Sequence, residues 1–269
     1  MSARAPLFDL RQRGVAVALG VANHALFGLG VGCMMLGLHS GMRTGVGPLR
    51  GPGAWLANLG LVLHFPFLHS YLLTPAGRAR LARLVPRGLG RELSTTTYAM
   101  AASLQLLVVF GLWSPSGAVG WEPSGALRAA FDVAFAASWL LLARAMWDAG
   151  LDVQSGSLGW LSVARGRAPG YGPFPQRGLF RLCRQPVYLA FALTLWTGPV
   201  WTPDHLAIAL AWTTYCVLGA RVKERRYLAA FGDEFRAYQR RVGFWWPAPA
   251  ALRIAAAQPP RGRRDSFDV

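Results

Sequence analysis

Long apolar stretches separated by arginine-rich segments are the feature of this sequence that most restricts its fold. The chain has 269 residues and is 53% hydrophobic, yet it carries 28 Lys and Arg against 12 Asp and Glu. Such a composition is stable only if charge and apolarity are segregated along the chain. Apolar stretches cover residues 14–38, 54–73, 96–113, 126–147, 187–201 and 204–220. A membrane span needs about 20 apolar residues, so the first four predict full spans.

The last two apolar stretches are short and meet at a sequence that contains Pro199 and Pro203. Proline has no backbone N–H and interrupts a helix. We therefore predict a proline-broken helical hairpin over residues 187–220. Together with the four full spans, this predicts an all-α fold, a polytopic membrane helix bundle.

From residue 221 the chain changes to an amphipathic pattern. Apolar residues recur three and four positions apart, at Leu228, Phe231, Phe235, Tyr238 and Val242. This spacing predicts a cytoplasmic amphipathic helix. Residues 155–175 are rich in Gly, Pro and Arg, which predicts a loop over a site, without regular helix. We predict one membrane domain over residues 1–247, with its densest motifs in 176–247, and a disordered tail over 248–269.

The distribution of Lys and Arg predicts the orientation in the cell membrane. Arginines precede the first stretch, cluster between residues 78 and 91 and again between 165 and 184, and cations are frequent beyond residue 220. Residues 114–125 have none. Cations close to the ends of spans remain on the cytoplasmic side. The prediction is a multi-pass protein with both termini in the cytoplasm, and Arg43 and Arg50 are its exceptions.

Several classes of function fit the sequence poorly. The cations lie between apolar runs, not on one basic surface, so no nucleic-acid partner is expected. The three cysteines are scattered, which indicates neither a disulfide framework nor a CxxC metal site. His64 and His69 are five residues apart, the wrong spacing for one helical face, and no metal is expected. A transporter has little support, because no series of charged residues lies within the spans.

The densest set of polar residues flanks the predicted hairpin. Arg184, Gln185 and Tyr188 stand at its start, and Glu224 and Arg225 follow its end. Arginine can bind a carboxylate through two parallel hydrogen bonds, and a glutamate can accept from an ammonium or a ribose hydroxyl. Such a set suits a zwitterionic ligand at the membrane surface. The alternative is that these arginines only fix the topology and Glu224 is a surface charge.

The order of these motifs resembles the isoprenylcysteine carboxyl methyltransferase superfamily of membrane methyltransferases. The superfamily pattern is Arg-His-Pro-x-Tyr, a helical hairpin, Glu-Glu-Arg and a Phe-Gly-x-x-Tyr-x-x-Tyr segment. Here the corresponding positions are 184–188, 223–225 and 231–238. Within the superfamily the chain is most similar to bacterial methanethiol S-methyltransferases, at His69-Ser70, Thr97-Tyr98, Ser103, Trp196-Thr197-Gly198-Pro199, Thr202 and His205-Leu206.

The resemblance implies a methyltransferase that uses S-adenosylmethionine from the cytoplasm. The residues that would bind this cofactor are Arg184, Gln185, Tyr188, Glu224 and Arg225, with Arg184 and Glu224 as the catalytic pair. The acceptor would be a small thiol or a lipophilic molecule that arrives through the lipid bilayer, with an isoprenoid or another lipid as the alternative. The residues that would contact the acceptor are His69, Ser70, Trp196 and His205.

Three positions depart from the superfamily pattern. Gln185 replaces a histidine and cannot titrate, Lys223 replaces a glutamate and reverses its charge, and Phe235 replaces a tyrosine. These departures keep a second hypothesis open, in which the chain is a non-catalytic relative that retains the scaffold.

Overall fold

The computed structural model describes residues 7–86, 88–118 and 120–246. Within these residues every regular element is helical, and extended backbone pairs only at two isolated bridges. The elements are α1 (Leu10–His39), α2 (Gly51–Leu72), α3 (Pro75–Ala82), α4 (Ser94–Gly111), α5 (Gly125–Asp148), α6 (Leu151–Gln154), α7 (Ser157–Ala164), a 3-10 helix (Gly178–Arg181), α8 (Pro186–Trp196) and α9 (Pro203–Arg241). The predicted all-α class is confirmed, and the predicted tail over 248–269 lies outside the described residues.

Several helices have the length and composition of membrane spans. In the described part of the chain, α1, α5 and α9 each qualify, and α2 with α3 forms a pair bent by 87° that qualifies as a fourth. Large apolar side chains remain exposed along these helices, among them Val133 and Leu140 on α5, which are 69% and 72% exposed. Apolar surface of this extent is stable against lipid and unstable against water. The protein is therefore a membrane protein.

Contacts between pairs of helices define the bundle. α1 contacts α4 and α7, α5 contacts α8, and α9 contacts both α8 and α2. Trp212 of α9 is fully buried, and its indole N–H donates to the carbonyl of Val62 at 3.1 Å. The ring of Trp212 also stacks on Phe65 of α2, with centroids 4.7 Å apart. These contacts fix the position of α9 against α2, and the cavity described below opens between these two helices.

The predicted proline-broken hairpin is present as α8 and α9. Thr202 is the N-cap of α9: its hydroxyl oxygen accepts from the backbone N–H of His205 at 3.1 Å and its O–H donates to the carbonyl of Gly41 at 2.6 Å. Pro203 follows at the first helical position, where a missing N–H costs no hydrogen bond. The turn is therefore tied to the end of α1.

The prediction of a loop without regular helix over 155–175 is wrong for its first part. α7 forms there, beginning after Gly156, whose φ of +76° is accessible to glycine. The hydroxyl of Thr96 donates to the carbonyl of Gly156 at 2.7 Å and accepts from the backbone N–H of Trp160. Tertiary hydrogen bonds of this kind stabilise a helix that local composition does not favour.

The predicted amphipathic helix is the continuation of the last apolar helix. α9 runs from its apolar part, residues 203–220, without interruption into the charged part. Its direction changes at Gly232, where φ is 49° and ψ is −120°. Because only glycine adopts such a conformation without strain, this residue permits the bend. The bend brings Phe235 and Tyr238 against Phe174, in a small apolar cluster.

Candidate active site

The sequence motifs on either side of the hairpin meet at one end of the bundle. The backbone N–H of Arg184 donates to the carbonyl of Gly243 at 2.8 Å, and the hydroxyl of Tyr238 donates to the carbonyl of Phe180 at 2.6 Å. We call this end, which residues 83–86, 88–93, 149–185 and 221–246 form, the basic end. Its backbone contacts hold the Arg184 segment against the last turns of α9.

Arg184 and Glu224 bind each other at the basic end. The Nε of Arg184 lies 2.8 Å from Oε1 of Glu224, and its Nη2 lies 3.3 Å from Oε2. Gln185 donates to Oε1 at 2.9 Å, and Gln239 donates to Oε2 at 2.7 Å. A third guanidinium nitrogen of Arg184 donates to the carbonyl of Val242 at 2.5 Å. The carboxylate therefore has its hydrogen-bonding capacity filled by residues of the chain.

A cavity of about 740 Å³ opens beside this cluster, between α2, α4, α8 and α9. Its volume lies in the range of about 300–1,000 Å³ that is typical of small-molecule sites. Of the five residues predicted to bind the cofactor, Tyr188 lines the cavity. The other four are not among its lining residues: Arg184, Gln185, Glu224 and Arg225.

Aromatic and polar side chains form the part of the cavity between α2, α4 and α9. The ring of His69 lies 4.9 Å from that of Phe65 and 5.0 Å from that of Tyr98, measured between centroids. The hydroxyl of Tyr98 donates to the carbonyl of His69 at 3.4 Å. Within the described residues the imidazole of His69 makes no hydrogen bond, and its Nδ1 is buried. Tyr215 of α9 completes this part of the wall.

Cations line the mouth of the cavity towards the basic end. They are Arg78, Lys223 and Arg226. The ammonium of Lys223 lies 5.4 to 5.8 Å from the ring centroids of Tyr227, Phe180 and Tyr188. Aromatic faces attract a cation but leave its charge uncompensated. Polar groups at the same mouth belong to Ser94, Thr95, Gln154 and Tyr171.

The residues predicted to contact the acceptor are divided between the two ends of the bundle. His69 lines the cavity, and Ser70 lines a small adjoining cleft, where its hydroxyl lies 3.5 Å from that of Tyr215. Trp196 and His205 lie at the opposite end, where the indole N–H of Trp196 donates to Thr213 at 2.7 Å and His205 Nε2 lies 2.8 Å from the Leu195 carbonyl. The structure does not bring these four residues together, because α9 rises about 1.5 Å per residue and His205 lies in its first turn.

Sequence reasoning missed most of the α9 residues that face the cavity. They recur singly or as adjacent pairs at intervals of three, four or seven positions, which places them on one helical face: Tyr215, Cys216, Lys223, Arg226, Tyr227, Ala230 and Phe231. This periodicity is visible in the sequence and could have identified the face of α9 that lines the cavity. The motif indicated Arg225, which is exposed, whereas the next residue, Arg226, lines the cavity.

The chain is similar to several curated proteins. It is 29% identical over 204 residues to methanethiol S-methyltransferase of Pseudomonas deceptionensis, covering 74% of this chain and 76% of that protein. It is 30% identical over 199 residues to methanethiol S-methyltransferase 1 of Bradyrhizobium diazoefficiens, covering 72% and 67%, and 29% identical over 203 residues to the Mycobacterium tuberculosis protein named methanethiol S-methyltransferase, covering 73% and 79%. No family model and no solved structure matches the chain. At this identity and coverage, the chain belongs to the methanethiol S-methyltransferase family of methyltransferases.

Proposed function

We propose that this protein is an integral membrane methyltransferase that uses S-adenosylmethionine to methylate a small thiol. The observation that carries the proposal is the cavity, which joins a polar, cationic mouth at the basic end to an aromatic interior at the level of the bundle. The proposed donor is polar and the proposed acceptor is volatile or lipophilic, so the donor matches the mouth of the cavity and the acceptor matches its interior. The relatives carry the name of such a reaction.

The residues at the mouth fit the proposed donor. Ser94, Thr95 and Gln154 offer hydroxyl and amide groups to a ribose, and Tyr171 and Tyr227 offer aromatic faces to an adenine. When bound, S-adenosylmethionine supplies an electrophilic methyl group on a positively charged sulfur. The protein needs no covalent intermediate for such a transfer, and its contribution is alignment and exclusion of water.

His69 is placed to accept a hydrogen bond from the acceptor thiol. A thiol reacts as its thiolate, so a proton acceptor close to the sulfur accelerates the reaction. The imidazole of His69 lines the cavity without a hydrogen-bonding partner among the described residues. Cys183 does not supply the reacting sulfur, because burial raises the pKa of its thiol and it is not among the lining residues of the cavity.

Blocking the cavity tests the proposal. Ala230 lines the cavity and Ala229, the preceding residue on the exposed surface of α9, does not. We expect Ala230→Trp to lower the affinity for S-adenosylmethionine and the formation of dimethyl sulfide from methanethiol at least tenfold, since the indole fills the site. The matched variant Ala229→Trp retains both. Binding is measured by calorimetry on protein in nanodiscs, and the product by headspace gas chromatography.

The results separate the parts of the proposal. Wild-type protein that binds no S-adenosylmethionine would contradict the choice of donor and favour the non-catalytic relative. Donor binding that is equal in both tryptophan variants would mean that the site lies elsewhere. Methyl transfer to an isoprenoid or lipid acceptor, with none to methanethiol, would support the proposed donor and contradict the proposed acceptor.

A further inference from the structure

The charge of the cavity is unbalanced. Three cationic side chains line it, and no Asp or Glu of the described residues does. Within the part of the chain that the structure describes, Lys223 and Arg226 form no ion pair. A buried or half-buried cation without a counter-charge is costly, so such groups are usually retained where a ligand supplies the charge.

The nearest carboxylate forms no salt bridge with these cations. Glu224 follows Lys223 in sequence, but both of its oxygens accept hydrogen bonds from Arg184, Gln185 and Gln239. The ammonium of Lys223 lies among the aromatic rings of Phe180, Tyr188 and Tyr227. The ion pair of Glu224 with Arg184 thus leaves Lys223 without a salt bridge among the described residues.

Arg226 lines the same cavity as residues of three other helices. The residues of those helices that share the lining are His69 of α2, Tyr98 of α4 and Tyr188 of α8. Arg226 also lines the adjoining cleft beside Ser70. A cation that shares a cavity with three other helices is in a position to bind a ligand there. Stabilising a local turn would not require that position.

Membrane topology does not account for the direction of these side chains. A cation that only fixes orientation needs to remain at the cytoplasmic surface, and Arg221 and Arg225 on the same helix are exposed there. Lys223 and Arg226 are three residues apart and share the face that lines the cavity. The helix therefore separates its surface cations from two that face inward.

We propose that Lys223 and Arg226 form an anion-binding site in the cavity that takes a carboxylate. This inference rests on the proposed function and assigns the carboxylate to cations other than Arg184, which the motif indicated but which does not line the cavity. Two sources supply this chemistry: the methionyl carboxylate of the donor, or the carboxylate of a mercaptocarboxylate acceptor. An arginine fork and a neighbouring ammonium together suit the two oxygens of such a group.

Paired ligands that differ by the carboxylate test the proposal. The donor pair is S-adenosylmethionine and its decarboxylated analogue, and the acceptor pair is 3-mercaptopropionate and 1-propanethiol. Both pairs are compared on wild-type protein in nanodiscs and on Lys223→Met, Arg226→Gln and Lys223→Arg. Arg221→Gln, an exposed position two residues from Lys223, is the control. Because each comparison is a ratio within one variant, a general loss of folded protein does not mimic the effect.

We expect wild type to prefer the carboxylate member of at least one pair tenfold or more, and Lys223→Met and Arg226→Gln to abolish that preference. Lys223→Arg and Arg221→Gln should retain it. A preference in the donor pair assigns the site to the donor, and one in the acceptor pair assigns it to the acceptor. If wild type binds S-adenosylmethionine but shows no preference in either pair, the anion site is refuted and the proposed function stands. If it binds no S-adenosylmethionine, both fall.

Discussion

Arg184 connects three parts of the chain at the level of single residues. Its side chain binds Glu224 of α9 and the carbonyls of Gln239 and Val242, while its backbone N–H donates to Gly243. The side chains of the ion pair are only 13% and 10% exposed. A pair of this kind contributes most through the charge that is left behind when one partner is removed. Arg184 therefore helps to fix the position of α9, which forms part of the cavity wall, whether or not it contacts a ligand.

Removing Arg184 tests its structural role. We expect Arg184→Ala to lower the free energy of unfolding by about 3 kcal/mol, because Glu224 would remain buried without its partner. Thermal unfolding of the purified protein measures this change, and Arg177→Ala, at an exposed arginine, is the control. If Arg184→Ala unfolds at the wild-type temperature but binds S-adenosylmethionine at least tenfold more weakly, Arg184 is a direct ligand contact, as the resemblance implies.

The sequence predicted some of the site residues and missed others for a geometric reason. The motifs indicated that Arg184 and Glu224 belong to one site, and the structure places them 2.8 Å apart. They also indicated Arg225, whereas Arg226 lines the cavity. Adjacent residues on an α-helix point about 100° apart, so a motif match does not tell which of two arginines faces inward. That choice depends on how α9 is rotated against α2, which Trp212 and Phe65 determine by packing.

At the level of helices, α7 is positioned by a glycine of α1. A Cβ atom at Gly20 would lie 2.3 Å from the indole of Trp160, closer than any real contact. The same helix contains Gly28, where a Cβ would meet nothing within 4 Å. The short helix therefore docks only because position 20 has no side chain, and its own hydrogen bonds to Thr95 and Thr96 complete the contact.

Two glycine substitutions on α1 test this docking. We expect Gly20→Val to destabilise the protein by about 1–3 kcal/mol, since the valine methyl groups overlap the ring of Trp160. Gly28→Val, on the exposed side, should change stability little. Both are measured by thermal unfolding, with tryptophan emission as a second signal. Equal unfolding temperatures for the two variants would contradict the docked position of α7.

Hydropathy predicted the long apolar helices. It failed for elements whose position depends on contacts within the protein. The helical hairpin and the spans of α1, α2 and α5 followed from apolar length, because the bilayer acts on every residue of a span alike. Residues 96–113, also predicted as a full span, form α4, which is not among the helices of the described residues that qualify as spans. α7 did not follow, since Gly20 and Thr96, both distant in sequence, stabilise it. The bend at Gly232 was also missed, because a glycine indicates that a bend is allowed and not that one occurs.

For the whole molecule, the two exceptions to the positive-inside pattern have local partners. Arg43 binds Glu122 at 2.5 Å, and Arg128 binds both Glu122 and Asp132. The hydrogen bond from Arg43 lowers the pKa of Glu122, so the acid stays charged opposite it. Arg50 donates to the carbonyl of Leu49 at 3.0 Å. Both exceptions are therefore held by local contacts, Arg43 by an acid and Arg50 by backbone carbonyls.

The orientation of the whole bundle is the condition on which the proposed function depends, because S-adenosylmethionine is a polar donor that would have to reach the mouth of the cavity from the cytoplasm. Two exposed alanines report the two ends: Ala118 precedes α5, and Ala168 follows α7 at the basic end. In a background in which Cys33, Cys183 and Cys216 are replaced, we expect Ala118→Cys to react with a membrane-impermeant maleimide in intact cells. Ala168→Cys should react only after the membrane is permeabilised. The reverse pattern would place the cavity mouth outside the cytoplasm and overturn the proposed use of S-adenosylmethionine, whatever the purified protein binds.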